Sequence, residues 1–296
     1  MSKNYKVLYF SGTGNTEYVV KELQRALLGA GNDCSIMPAD KLWSICGRSP
    51  HHQGDKERVE RELCYYLEST DCLIVAFGVY ASLIPRPLFD LIKLLPERQM
   101  QLASVCTCAK TGGDACRLPL RLLKDKGYEG VLAAQVKMPN NIKIPPLNFF
   151  KIENGKTLDK FYESSKKKIN FLAGKLSEQR KYFEGGGLIS LLLGVFQRKS
   201  ETFMKRYFST SFYASRDCIK CLHCINSCPQ GNIILENGKI KFANNCCFCL
   251  RCYSFCPANA IQLTEKTEDI KKYPRYKGFN NYKPQKLYDY KVNNKS

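Results

Sequence analysis

The sequence predicts an α/β chain: a doubly wound parallel sheet through its first part, then a small α+β module near its C-terminus. Two observations predict it. Apolar, strand-like runs alternate with helix-period runs as far as residue 176, and two cysteine runs of one spacing follow, offset by 28 residues. A chain of 296 residues suits about two domains, and 44% hydrophobic residues suffice for a core.

Residues 3–10 (KNYKVLYF) read as a short buried strand, and a helix begins directly after the turn at 11–16. DCSIMPA at 33–39 reads as a second strand. In 55–70, Val59, Leu63 and Tyr66 lie on one helical face. DCLIVAFGVY at 71–80 is a continuous apolar run, as a central parallel strand requires. Helix 85–95 opens with proline near its start, strand 101–109 follows, and helix 112–127 carries Pro119, which delays or kinks it. A fifth strand at 128–139 and a long helix at 156–176 complete the alternation.

The turn after the first strand is SGTGNT. Its hydroxyls (Ser11, Thr13 and Thr16) and the N–H groups of the following helix start make an anion site. No Gly-Lys-Ser/Thr follows, which excludes a nucleotide-hydrolysing loop, and no G-x-G-x-x-G is present. Neutral donors without lysine or metal suit a monoester phosphate. Here the chain resembles the flavodoxin family, whose phosphate loop for flavin mononucleotide SGTGNT matches, with serine first in place of the more usual threonine.

That resemblance implies a five-stranded sheet in the order 2-1-3-4-5, with ligand at the carboxyl ends of strands 1, 3 and 4. The implied cofactor contacts are Ser11, Gly12, Thr13, Gly14, Asn15 and Thr16 after strand 1. After strand 3 they are Gly78, Val79, Tyr80, Ala81 and Ser82. After strand 4 they are Thr107, Lys110, Thr111, Gly112 and Gly113. Tyr80 offers a flat face for stacking on the isoalloxazine ring. The glycines permit close approach to its N5 edge, and Lys110 near the ring would favour anionic reduced flavin. Simple flavodoxins are acidic and many flank the ring with tryptophan. This chain is basic, and its one tryptophan, Trp43, lies outside these loops and reads as core.

The cysteine runs are Cys218, Cys221, Cys224, Cys228-Pro229 and Cys246, Cys249, Cys252, Cys256-Pro257. Their spacing, C-x2-C-x2-C-x3-C-P, is the one with which bacterial ferredoxins hold cubane iron–sulfur clusters. Zinc knuckles need two short pairs, not two runs of four with a trailing proline. CPQGNII at 228–234 repeats as CPANAIQ at 256–262, and Asn237-Gly238 between short apolar runs signals a hairpin. Residues 212–264 therefore resemble a two-cluster ferredoxin. The resemblance implies crossed ligation: Cys218, Cys221, Cys224 and Cys256 on one 4Fe-4S cluster, and Cys246, Cys249, Cys252 and Cys228 on the other.

The remaining cysteines, Cys247 among them, form no disulfide framework. With no leader segment in view, they point to a reducing cytoplasm. The net charge of +19 comes without any nucleic-acid-binding motif. No nucleic acid is expected, and the charge suits docking of an acidic redox partner. The longest strongly apolar run, 188–196, is too short to span a bilayer. The stretch from 188 to 208, with Arg198, Lys199, Lys205 and Arg206, reads as a helix packing two domains together. Peripheral contact with a membrane is the lesser reading. The proline- and asparagine-rich loop 139–155 is of the length that covers a site or contacts another domain. His51 and His52 read as surface residues and His223 as an outer-sphere neighbour of a cluster. No Ser-His-Asp set or nucleophile elbow is present.

Taken whole, the chain resembles the flavodoxin–ferredoxin fusion proteins of anaerobes. The organisation this implies is a flavodoxin-like domain at 1–182, a linker helix at 183–211, a ferredoxin-like domain at 212–264 and a basic, tyrosine-rich tail at 265–296. The implied function is transfer of low-potential electrons between flavin, clusters and outside redox proteins. The alternative is a flavin-dependent reductase of a quinone, nitro or enone compound, fed by the clusters.

Overall fold

The computed structural model describes residues 2–46, 53–145, 147–153, 156–209, 211–279 and 282–291, so His51 and His52 lie outside the described residues. Two compact units are present. The first comprises Met1–Ser11, Asn15–Pro139 and Glu153–Glu201, and the second Gly12–Gly14, Asn140–Ile152 and Thr202–Ser296.

The first unit runs β1 (Asn4–Phe10), α1 (Asn15–Gly29), β2 (Asp33–Pro38), α2 (Ala39–Ile45), α3 (Gln53–Tyr66), β3 (Cys72–Gly78), α4 (Arg86–Lys93), β4 (Met100–Cys108), α5 (Leu118–Leu123), β5 (Tyr128–Lys137), α6 (Lys156–Ser177) and β6 (Tyr182–Phe183). The start of α7 (Leu188–Ser209) belongs to it as well. The sheet has six strands in the order β2-β1-β3-β4-β5-β6, every neighbouring pair parallel. This is the doubly wound α/β arrangement expected, with one strand more. Two residues are too few to show a period, so β6 left no signal in the sequence. Its place is fixed by pairing, with the Glu184 N–H donating to the Ala133 carbonyl at 2.8 Å just beyond it.

Helices cover both faces. α1 packs on α6, while α2 packs on α3 and α4. That double cover explains why β3 is buried from Cys72 to Phe77 and apolar throughout. α2 was also absent from the sequence reading. It buries Ala39, Leu42 and Trp43, and Trp43 Nε1 donates to the Pro87 carbonyl at 2.9 Å, so the tryptophan is core. The helix expected over 112–127 is corrected. Residues 112–114 stay in a loop, Ala115–Arg117 form one 3-10 turn, and α5 begins at Leu118 with Pro119 in its first turn. Proline lacks an N–H and fits only where no intrahelical partner is needed. The residues before it are thereby left to the loop.

The second unit carries β7 (Tyr213–Ala214), α8 (His223–Asn226), β8 (Ile233–Glu236), β9 (Lys239–Phe242), α9 (Arg251–Phe255) and β10 (Ile261–Gln262). β7 pairs with β10 antiparallel, and β8 with β9. Asn237 (φ 49°) and Gly238 (φ 68°) form the hairpin turn that the sequence signals. Phe212, Ile225, Ile233, Tyr253 and Ile261 make its core, with Phe212 stacked on Phe242 at 5.9 Å. The tail packs within this unit: Tyr273, Tyr276 and Phe279 are buried, and the Leu287 N–H donates to the Asn226 carbonyl at 2.7 Å.

Candidate functional site

The loop from residue 11 to 16 is buried throughout. Ser11 Oγ accepts the Glu17 N–H at 3.2 Å, which ties the loop to the first turn of α1. The Thr16 and Thr107 hydroxyls hydrogen-bond at 2.9 Å, joining this loop to the end of β4. Asn15 Nδ2 donates to the Pro139 carbonyl at 2.9 Å. Gly12–Gly14 group by their contacts with the second unit. There Thr13 Oγ1 accepts from Asn141 Nδ2 at 2.7 Å. Gly14 has φ +100°, and a Cβ on it would stand 2.5 Å from Tyr282 Cγ, so both conformation and space demand glycine.

After β3, Tyr80 and Leu83 exchange backbone hydrogen bonds of 3.2 and 2.9 Å around a two-residue turn. The turn residues, Ala81 (φ 49°) and Ser82 (φ 57°), are both left-handed, which costs about 1–2 kcal/mol each for non-glycine residues. Strain of this kind persists where surroundings over-determine it. Here the buried Ser82 hydroxyl donates to the Gly112 carbonyl at 3.0 Å, linking the loops after β3 and β4. The Val79 N–H donates to the Thr107 carbonyl at 3.0 Å. A Cβ on Gly78 would lie 3.5–3.6 Å from Thr16, Tyr80 and Thr107, so these residues share one locality. In the loop after β4, Gly112 and Gly113 are buried, whereas Lys110 and Thr111 are exposed.

Two groups that sequence reasoning missed hold this loop. Gln135 on β5 uses both ends of its amide: Oε1 accepts the Gly112 N–H at 2.8 Å, and Nε2 donates to the Gly113 carbonyl at 2.8 Å. A glutamine inside the apolar run of β5 was the available signal. The second group is Asp114, fully buried and paired with Arg121 at 2.7 Å and Arg198 at 2.5 Å. Arg198 comes from α7, a distance in sequence that no local pattern reveals. Burial pushes the Asp114 carboxyl up, but its bonds to Arg198 and Arg121 outweigh this and hold it below its ordinary value of 3.8.

Asp114→Ala would leave two guanidinium groups facing each other. A broken buried pair costs about 3–5 kcal/mol, and partial solvent access of both arginines lowers the expectation to about 2–3 kcal/mol. Urea unfolding measures this. Because the folded carboxyl titrates below its ordinary value, its contribution is complete above that value and is lost as pH falls through the folded one. Asp114→Asn should therefore flatten the acid limb of the stability curve. An unchanged acid limb would show that the pair contributes nothing.

In the second unit the two cysteine loops share one backbone. Left-handed residues recur at the same 28-residue offset: Lys220 and Phe248, Leu222 and Leu250, Gly231 and Asn259. The sulfur contacts repeat too. Cys228 Sγ accepts the Asn232 N–H at 3.3 Å, and Cys256 Sγ accepts the Ala260 N–H at 3.2 Å. Burial, then the neighbouring thiols of Cys218, Cys221 and Cys256, push Cys224 up to about 12. Cys246 is likewise pushed up to about 12 by burial and then by Cys249 and Cys228. Burial, then the thiols of Cys246, Cys249 and Cys228, and last that of Cys224, also raise Cys252. Cys224 thus has Cys256 of the other run among its neighbours, and Cys246 and Cys252 have Cys228 among theirs. Cys218, Cys221, Cys224 and Cys256 line one pocket with Ile240 and Ile261. Among the described residues, no three or more His, Cys, Asp or Glu side chains gather as around a single metal ion. His223 lies in the same pocket, with Nε2 buried and unpaired.

No protein-family model and no curated protein matches the sequence. Among solved structures, the chain is similar to an NAD(P)H:quinone oxidoreductase from Methanothermobacter marburgensis, at 12% identity over 62% of this chain and 100% of that one, with a TM-score of 0.45. It is also similar to oxidised flavodoxin 2 from Bacillus cereus, at 12% identity over 60% and 99%, with a TM-score of 0.37. A third is rubredoxin oxygen:oxidoreductase from the anaerobe Desulfovibrio gigas, at 11% identity over 57% of this chain and only 37% of that one, with a TM-score of 0.36. Likeness at this level says nothing of activity, and the fold assignment rests on the strand order itself. No helix among the described residues is long and apolar enough to cross a membrane.

Proposed function

We propose that the chain is an electron-transfer iron–sulfur flavoprotein, binding flavin mononucleotide and two 4Fe-4S clusters and exchanging electrons with acidic redox proteins. The observation that carries this reading is the duplicated cysteine backbone. Identical left-handed positions and identical N–H to sulfur bonds recur 28 residues apart, and the thiols group in the crossed pattern. Buried thiols that raise one another's pKa, with backbone N–H groups aimed at sulfur, are the donor chemistry a cubane requires. Cys218, Cys221, Cys224 and Cys256 would hold one cluster, and Cys246, Cys249, Cys252 and Cys228 the other.

The flavin assignment is supported by the strand order, by the buried hydroxyls of Ser11, Thr13 and Thr16, and by the glycines at 12, 14, 78, 112 and 113. The loop hydroxyls and helix start would bind phosphate. Tyr80, held by the strained turn, would position the ring, and Gln135 holds Gly112 and Gly113 in place to receive its edge. Bound there, a flavin takes two electrons and passes them on singly, while a cubane moves one.

The test is anaerobic purification with iron, sulfide and flavin counted. About eight iron atoms and one flavin per chain are expected. Zinc in place of iron would overturn the cluster reading. Turnover of a quinone or nitro compound by protein stripped of iron would favour the reductase instead.

The tail makes the two thiol groups unequal. Arg275 is buried 3.5 Å over the Tyr253 ring, and Lys277 Nζ donates to the Ser254 carbonyl at 3.0 Å. Burial and then the Arg275 guanidinium lower the Lys277 ammonium from its ordinary value, and the Cys256 sulfur opposes them. A fixed cation there favours the more negative, reduced state of whatever Cys256 ligates. Lys277→Gln should lower the reduction potential of the cluster held by Cys218, Cys221, Cys224 and Cys256 and spare the other. A redox titration followed by electron paramagnetic resonance checks this, and equal shifts in both clusters would refute it.

A further inference from the structure

We propose that the first half of α7 is a docking surface for an anionic lipid membrane, on which the protein lies without crossing it. The observation is an inverted amphipathic helix. Its inward stripe is Ser190, Leu191, Gly194, Gln197 and Arg198. Gly194 sits so close to Gly113 that a Cβ on Gly113 would stand 3.0 Å from its backbone nitrogen. Gln197 hydrogen-bonds Ser82, and Arg198 pairs with Asp114. Apart from Leu191, small and polar groups therefore face the protein.

The outward stripe is apolar. Leu188, Ile189, Leu192, Val195 and Phe196 are 73, 75, 62, 47 and 73% exposed. A helix at a protein surface normally presents the opposite pattern, with its apolar side inward. The spacing 188, 189, 192, 195, 196 is one helical face. Packing this helix within its own unit does not bury it, so some other apolar phase must account for it.

Charge selects the phase. Lys199 is exposed one turn beyond Phe196 on the same side. Beside the helix, the half-exposed Arg121 shares the single carboxylate of Asp114 with the inward Arg198, which leaves a net positive charge there. Near the helix start, Phe183 is exposed and the Arg117 guanidinium lies 5.5 Å over its ring. An apolar strip bordered by cations matches the bilayer interface, where acyl chains take leucine and phenylalanine and anionic headgroups take lysine and arginine. A protein partner would more often meet a rim of mixed polarity. The chain-wide excess of +19 adds long-range attraction to the same surface.

The test uses the full chain with sucrose-loaded vesicles, of phosphatidylcholine alone or with about one-third phosphatidylglycerol. Sedimentation should show bound fractions on the order of ten-fold higher on anionic vesicles, falling as salt is raised to about 0.15 M. The double variant Leu192→Glu, Phe196→Glu places charges on side chains already exposed, so its circular dichroism and unfolding midpoint should match wild type. Its vesicle binding should fall on the order of ten-fold or more. Equal binding to both lipids would overturn the proposal, as would retention of binding by the variant. If light scattering showed wild type as a dimer that the variant splits, without vesicle binding, the face would be an interface between copies of this chain. Because none of these readouts involves cofactor, failure here leaves the electron-transfer reading untouched.

Discussion

Cys256→Ala is expected to halve the iron content, from about eight to about four atoms per chain, and to remove the cluster of Cys218, Cys221 and Cys224. The argument is spatial. Cys256 lines one pocket with the three cysteines of the other run, whereas its own run gathers round Cys228. The left-handed residues that shape each loop cost about 1–2 kcal/mol apiece, and metal–sulfur bonding would offset that strain. Cys228→Ala should give the mirror result. Spectroscopy that found Cys256→Ala had destroyed the cluster of Cys246, Cys249 and Cys252 would sink the crossed assignment, since no neighbour relation would then predict ligation.

Thr13→Val is expected to weaken flavin mononucleotide binding by roughly ten- to hundred-fold, which is a loss of about 1.5–3 kcal/mol for one hydrogen bond to a charged group. Valine keeps the shape and removes only the hydroxyl, which here accepts from Asn141. Riboflavin lacks the phosphate and should bind wild type and variant alike. Fluorescence titration of both ligands separates the outcomes. Equal weakening for riboflavin would mean that Thr13 supports the loop and holds no phosphate.

The first-unit sheet was readable because its central strands are buried on two faces. A run such as CLIVAFG has no other stable home, and the turn SGTGNT marks where strand gives way to helix. The cysteine loops were readable for a different reason. Ligand spacing is local, and the repeat writes the same backbone twice. What escaped notice was short or non-local. β6 has two residues, and α2 is a seven-residue helix directly abutting β2. The helix start near 112 was misplaced although Pro119 signalled a delay or a kink, and it is the delay that holds, with Pro119 in the first turn of α5.

Within the candidate site, the residues that bear glycines and hydroxyls were legible and the residues that hold them were not. Gln135 is an ordinary polar letter until β5 carries it beside Gly112 and Gly113. Asp114 and Arg198 become partners only when α7 folds back, 84 residues along the chain.

By itself the sequence determined the central strands, loop chemistry and ligand spacing, because each depends on burial or on contacts a few residues long, while the strand order was expected only through the resemblance. Only the tertiary structure decided which thiols neighbour which, and that the Thr13 hydroxyl meets Asn141. It also decided that Leu188 and Leu192 of α7 point outward. Those are questions of which distant groups compete for one place, and hydrophobicity along a chain carries no record of direction until packing assigns it.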